Sequence, residues 1–146
     1  MIEVLCRICK KKEGKSVMAT EGKTMQRILI VEDEQAYRTF LQRVFAKAGY
    51  HCTGCVDGEY AIEKLKKEHF DLLILDYILP GNNGLEIVRW LRRQKDFTPA
   101  IIITAYPTNA LIEECNAEKN VKFIRKANFK PEEILTIASQ ILSQKQ

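Results

Sequence analysis

Phe70-Asp71-Leu72-Leu73-Ile74-Leu75-Asp76-Tyr77-Ile78-Leu79-Pro80-Gly81 is the stretch that decides the fold. Leu72 to Leu75 show no polar alternation, so a strand made from them must be covered on both faces, as the central strands of parallel sheets are. Asp76 follows at once, where the buried strand emerges into a Pro/Gly turn. A carboxylate there is either a turn or capping residue or an exposed nucleophile or metal ligand. A second apolar run, Ile28-Leu29-Ile30-Val31, ends the same way, in Glu32-Asp33-Glu34. Two strand ends can therefore deliver carboxylates to one site.

Outward from these runs, the chain from Arg27 reads as five strand-helix units. Ile28 to Val31 is the first strand. Tyr37, Phe40, Leu41, Val44, Phe45 and Ala48 then form the inward stripe of an amphipathic helix closed by Gly49. Tyr50 to Val56 is a second strand and Gly58 to Glu68 a helix with Ala61, Ile62 and Leu65 inward. Phe70 to Leu75 is the third strand, followed after the Pro80 to Gly84 turn by a helix marked by Leu85, Val88 and Leu91. Pro99 to Ile103 is the fourth strand, Ala110 to Ala117 a poorly striped helix, and Val121 to Ile124 the fifth strand. Pro131 opens a last helix with Ile134, Leu135, Ala138, Ile141 and Leu142 on one face. Alternating strands and helices imply a doubly wound α/β domain, a parallel sheet with helices on both faces.

Composition narrows the function. A chain of 146 residues holds one domain of ordinary size, and no apolar run approaches the roughly 18 residues of a membrane span. The net charge of +4 is uneven. Residues 1 to 26 carry six Lys/Arg against three acids, whereas residues 27 to 146 carry 17 against 16. The basic character thus belongs to an N-terminal extension without periodicity, which reads as disordered. The nearly neutral domain lacks the basic face of a nucleic-acid binder. Five cysteines without a signal peptide read as reduced thiols in the cytoplasm. Cys6-x-x-Cys9 and Cys52-x-x-Cys55 have zinc-ligand spacing. The second pair falls on a strand, where residues three apart face opposite ways, so one metal cannot readily take both. His51 and His69 share no ligand spacing.

In doubly wound sheets the functional crevice lies outside the carboxyl ends of the strands. Those ends present Glu32 and Asp33, Asp76, Thr104 and Lys126. Crowded carboxylates need raised pKa values or a cation, and a hard ion held through few protein oxygens points to Mg²⁺. Lys126 can then place a point charge on a phosphoryl oxygen and the Thr104 hydroxyl can donate to another. This set supports phosphoryl transfer with Asp76 as the attacking carboxylate.

Ile28 to Glu34, the pattern Asp76-x-x-Leu79-Pro80-Gly81-x-x-Gly84, Thr104-Ala105 and Lys126, at these spacings, closely resemble the receiver domain of bacterial two-component response regulators. The resemblance spans residues 27 to about 143. It implies a flavodoxin-like, five-stranded sheet in the order 2-1-3-4-5, and a phosphoprotein in which Asp76 accepts a phosphoryl group from a histidine kinase or phosphotransfer protein. By the same resemblance Asp33 and Asp76 would bind Mg²⁺ (or Mn²⁺) directly, the Ile78 carbonyl would add a ligand, and Glu32 would act mostly through water. Thr104 and Phe123 would form the switch pair that reshapes the face of the fourth helix, fifth strand and fifth helix, toward an output protein or a phosphorylation-dependent homodimer. Such a domain promotes its own phosphotransfer and slow dephosphorylation and is not a conventional turnover enzyme.

Three positions depart from the usual pattern: Glu32 replaces an aspartate, Leu79 a methionine, and Lys126-Ala127 a Lys-Pro cis peptide. A cis bond before a non-proline residue costs about 2.5 to 4 kcal/mol. Either that loop holds the strain or Lys126 is aimed differently. The departure suits a rival reading, an unphosphorylated pseudo-receiver acting as a protein-binding module. An aspartyl-phosphate phosphatase would want a carboxylate two residues after the nucleophile, where Ile78 stands. A flavin carrier would want a Ser/Thr/Gly-rich loop in place of Glu32 to Glu34. Ile78 and Tyr106, each two residues beyond a site residue, are expected to hinder attacking water.

Overall fold

The computed structural model describes residues 24–127 and 129–144. The Cys6-x-x-Cys9 pair and most of the basic extension lie outside these residues. Each apolar run becomes a five-residue strand: β1 (Arg27–Val31), β2 (His51–Cys55), β3 (Leu72–Asp76), β4 (Ala100–Thr104) and β5 (Val121–Arg125). Between and after them come α1 (Gln35–Lys47), α2 (Gly58–Lys67), α3 (Gly84–Arg93), α4 (Asn109–Ala117) and α5 (Pro131–Ser143). All pairings are parallel and the strand order is β2-β1-β3-β4-β5. The expected doubly wound sheet is the observed one.

Strand alternation divides the core into two layers. Ile28, Ile30, Leu72, Ile74, Ile101, Ile103 and Ile124 face α1 and α5, while Leu29, Val31, Leu73, Leu75, Ala100 and Ile102 face α2, α3 and α4. Because helices cover both faces, β3 and β4 are buried along their whole length. The edge strands β2 and β5 are not.

Local chemistry sets the helix starts. Asp57 and Thr108 cap α2 and α4 through their side chains. Asn83 and Glu86 form a reciprocal capping box at α3, and Pro131 opens α5. Two residues of the expected α1 stripe are outside the core: Phe40 and Ala48 are exposed. Leu41 and Phe45 define the buried direction of α1, and Phe40 projects to one flank of it, whereas Ala48 is the C-cap beyond the last helical turn. Phe123 is half-buried and packs against the core layer of α2, α3 and α4. It lies on an edge strand beside α4, which buries only Leu111 and Cys115. Cys52 and Cys55 pack into opposite layers, and burial pushes both thiols up to about 11. They are inert core thiols that cannot share a metal.

Two glycines let the loop after β3 close onto its neighbours. A Cβ on Gly84 would lie 2.7 Å from the Asp76 carbonyl oxygen, and one on Gly58 would collide with the Asn82 carbonyl. By contrast, a Cβ on Gly54 would meet only the movable end of the Gln42 side chain. Gly58→Ala is therefore expected to cost about 1 to 3 kcal/mol, with Gly54→Ala costing clearly less. Urea unfolding of both variants checks this; equal losses would contradict the close approach.

Candidate functional site

The carboxyl ends of β1, β3 and β5 meet above the centre of the sheet. In-register pairing places Val31 beside Leu75 and Asp76 beside Ile103. Glu32 leaves β1 with its N–H on the Cys55 carbonyl (3.0 Å), and Lys126 leaves β5 with its N–H on the Thr104 carbonyl (2.7 Å). The Arg38 guanidinium, from the second turn of α1, donates to the Glu32 carbonyl at 2.7 Å and holds the acidic turn in place.

Three carboxylates converge there. Ligand oxygens of Glu32, Asp33 and Asp76 all lie within 4.8 Å of one another. Glu32 and Asp76 are only 2% and 7% exposed, while Asp33 faces solvent. The Lys126 ammonium lies between the buried pair, 3.0 Å from Glu32 Oε1 and 3.1 Å from Asp76 Oδ2. The second oxygens are also engaged. Glu32 Oε2 accepts the Glu34 N–H at 3.1 Å and Asp76 Oδ1 accepts the Ile78 N–H at 3.2 Å. Among the described residues no peptide bond is cis. Lys126 reaches both acids across a trans bond to Ala127, so its ammonium is aimed into the crevice without the cis bond that a following proline would favour.

Burial raises the Glu32 carboxyl to about 7, and the Asp76 charge adds to the rise; the Glu34 N–H and Lys126 oppose it. Burial alone would lower the Lys126 ammonium, but its hydrogen bonds to Glu32 and Asp76 outweigh this and hold it above the usual lysine value. All three acids offer hard oxygen donors, and Asp33 keeps one side open to water. The set therefore fits a small divalent cation that retains several waters.

Thr104 is fully buried, and its hydroxyl accepts the Tyr106 N–H at 3.3 Å. It sits one residue past the register partner of Asp76. Strand alternation puts it on the same sheet face as Phe123, whose register partner is Ile102. The crevice rim is apolar, with Ile78 54% and Tyr106 76% exposed. The pattern of residues missed one neighbour of the site. Tyr37, read as an ordinary stripe residue of α1, has its ring 4.4 Å from the Lys126 ammonium.

A doubly wound α/β domain with buried acids and a lysine at its topological switch point is a class with many functions. The chain belongs to the response regulator receiver domain family, which it matches over residues 28–139. Over 81 residues, 56% of this chain, it is 46% identical to the response regulator ArlR of Staphylococcus aureus. That match covers 36% of ArlR, so the chain spans about a third of the length of the curated relatives it matches. Among solved structures it resembles chemotaxis protein CheY4 of Vibrio cholerae, with a TM-score of 0.74 and 28% identity over 81% of this chain and 99% of that one. The Francisella response regulator 1452 receiver domain shares the fold, with a TM-score of 0.76 at 21% identity over 83% of this chain and 99% of that one. Among the described residues no helix is long and apolar enough to cross a membrane.

The raised Glu32 carboxyl has a defined sign in stability. Between about pH 4.5 and 7 the folded state holds a proton that the unfolded state has released, so stability falls as pH rises through that window. Without divalent ions, the wild type is expected to lose about 1 to 3 kcal/mol relative to Glu32→Gln between pH 5 and pH 8. Urea unfolding at the two pH values measures it; a constant difference would contradict the assignment.

Proposed function

We infer that this domain is a Mg²⁺-dependent phosphoacceptor of a two-component phosphorelay, taking a phosphoryl group onto Asp76 from the phosphohistidine of a histidine kinase or phosphotransfer protein. The observation that carries this reading is the junction of Asp76, Glu32 and Lys126 within hydrogen-bonding distance at three strand ends. Asp76 Oδ1 accepts the Ile78 N–H, and Oδ2, the oxygen paired with Lys126, is the attacking atom in this reading, released as the ammonium turns to the incoming phosphoryl group. That oxygen forms the new P–O bond as the P–N bond to the donor imidazole breaks, the electron pair staying on the departing nitrogen, which takes a proton from solvent. Lys126 moves from the carboxylate to a phosphoryl oxygen without leaving the crevice. When bound by Asp33, Asp76 and the Ile78 carbonyl, with Glu32 acting through water, Mg²⁺ (or Mn²⁺) would neutralise charge on the phosphoryl oxygens.

Thr104 is the switch hydroxyl in this reading. Its exchange of the Tyr106 N–H for the phosphoryl group would open space on the sheet face where Phe123 is half-buried. Turning of that ring would reshape the α4-β5-α5 face toward an output protein or a second copy. The aim of Lys126 at Asp76 supports this reading over a pseudo-receiver. A cytoplasmic setting, with residues 1 to 26 as a basic extension, is part of the same proposal.

Incubation of the full chain with phosphoramidate and Mg²⁺ is expected to add one phosphoryl group by intact mass, and Asp76→Asn to add none. No gain by the wild type, or a gain that persists in Asp76→Asn, overturns the reading. Replacing both Ile78 and Tyr106 with serine is expected to shorten the phosphorylated lifetime several-fold by admitting water. An unchanged half-life after removal of the donor would contradict the shielding role.

A further inference from the structure

Lys126 is an unusual residue to leave unguided. Its side chain has four rotatable bonds, and it follows β5 directly, in a stretch of sequence with no proline before Pro131. The backbone hydrogen bond to Thr104 anchors its start but not its ammonium. The carboxylates of Glu32 and Asp76 attract the ammonium, yet these are the groups whose charge changes when a cation or a phosphoryl group arrives. A neutral contact that persists through such changes is supplied from another element. The Tyr37 ring, in the first turn of α1, lies 4.4 Å from Lys126 Nζ in cation–π geometry.

The ring is held from several sides. Phe129 meets it edge-on, with centroids 6.4 Å apart and planes at 84°, and Phe40 packs at 5.7 Å. Its remaining surface packs against the core layer shared by α1 and α5. Tyr37 thus touches both Lys126 and Phe129, two residues of the connection from β5 to α5. The Tyr37 hydroxyl is buried without a hydrogen-bond partner among the described residues. The ring, not the hydroxyl, makes the contact that matters.

We propose that Tyr37 is a positioning residue for phosphoryl transfer, a cation–π clamp from α1 that keeps the Lys126 ammonium in the acidic crevice. The proposal rests on the phosphoacceptor reading for its functional consequence but not for the contact itself. The clamp ties the loop that carries the acids to the loop that carries the lysine. It does so with the neutral face of a ring, which keeps its hold on the ammonium when the charge on the acids changes.

The test has two independent parts on the full chain. In the metal-free protein, NMR of the Lys126 Hε resonances is expected to show the upfield ring-current shift of a methylene held over an aromatic ring. The shift is expected to persist in Tyr37→Phe and be lost in Tyr37→Leu, with Tyr37→Met as the substitute should the leucine variant not fold. With phosphoramidate and Mg²⁺, Tyr37→Phe is expected to be phosphorylated within about twofold of the wild-type rate and Tyr37→Leu about 3- to 30-fold more slowly. In a Lys126→Ala background the leucine substitution is expected to have no further effect, because both changes remove the same interaction.

Three results would overturn the clamp. One is a Lys126 shift and rate unaffected in Tyr37→Leu. Another is Tyr37→Phe as slow as Tyr37→Leu, which would assign the role to the hydroxyl. The third is an equal slowing by Tyr37→Leu with and without Lys126, which would mark a general structural role. A wild type that takes up no phosphoryl group would defeat the functional reading, while the metal-free resonance would still decide the clamp.

Discussion

The pairing of one ammonium with two buried carboxylates is the constraint on which the rest of the site depends. Glu32 and Asp76 are almost entirely removed from water, and crowding two such acids is costly unless positive charge lies beside them. Lys126 supplies that charge with one contact to each acid, though burial still raises the Glu32 carboxyl to about 7. A protein made only for stability would have apolar residues here. Retaining the triad at the mouth of the sheet keeps carboxylate oxygens where, in the proposed function, a cation and a phosphate would enter.

The fold makes this arrangement possible because parallel strands end together. Register between β1, β3, β4 and β5 brings residues distant in sequence to one level, and the two core layers keep those strands from shifting relative to one another. Close approach at Gly58 and Gly84 then seats the β3-α3 loop against its surroundings. The hydrogen bond from Arg38 fixes the acidic turn in the same way. Stability and function are separated in space: the apolar layers hold the strands, and the strand ends hold the chemistry.

Much of this was legible in the residues alone, for identifiable reasons. The runs at 72 to 75 and 100 to 103 lack polar alternation, which leaves a two-sided burial as the natural outcome. The acids and Lys126 follow directly on strand ends, so strand assignment located them. Sequence reasoning went astray where the answer depended on which tertiary neighbour a side chain meets. Phe40 and Phe123 are apolar and periodic, yet the flank of α1 and the edge position of β5 leave them partly uncovered. The aim of Lys126 could not be read from the absence of a proline after it. Its guide, Tyr37, comes from a helix 89 positions earlier in the chain and carries no motif.

The central claim is that the Asp76 carboxylate, set against Lys126, is the atom group that takes up phosphorus. Borohydride reduction of the phosphodonor-treated protein, followed by peptide mapping, tests it most directly, because an aspartyl phosphate is reduced to homoserine at the position that carried it. Homoserine is expected at position 76 and nowhere else. Homoserine at position 33 or 57 instead, or none at all in protein that has gained a phosphoryl group, would contradict it.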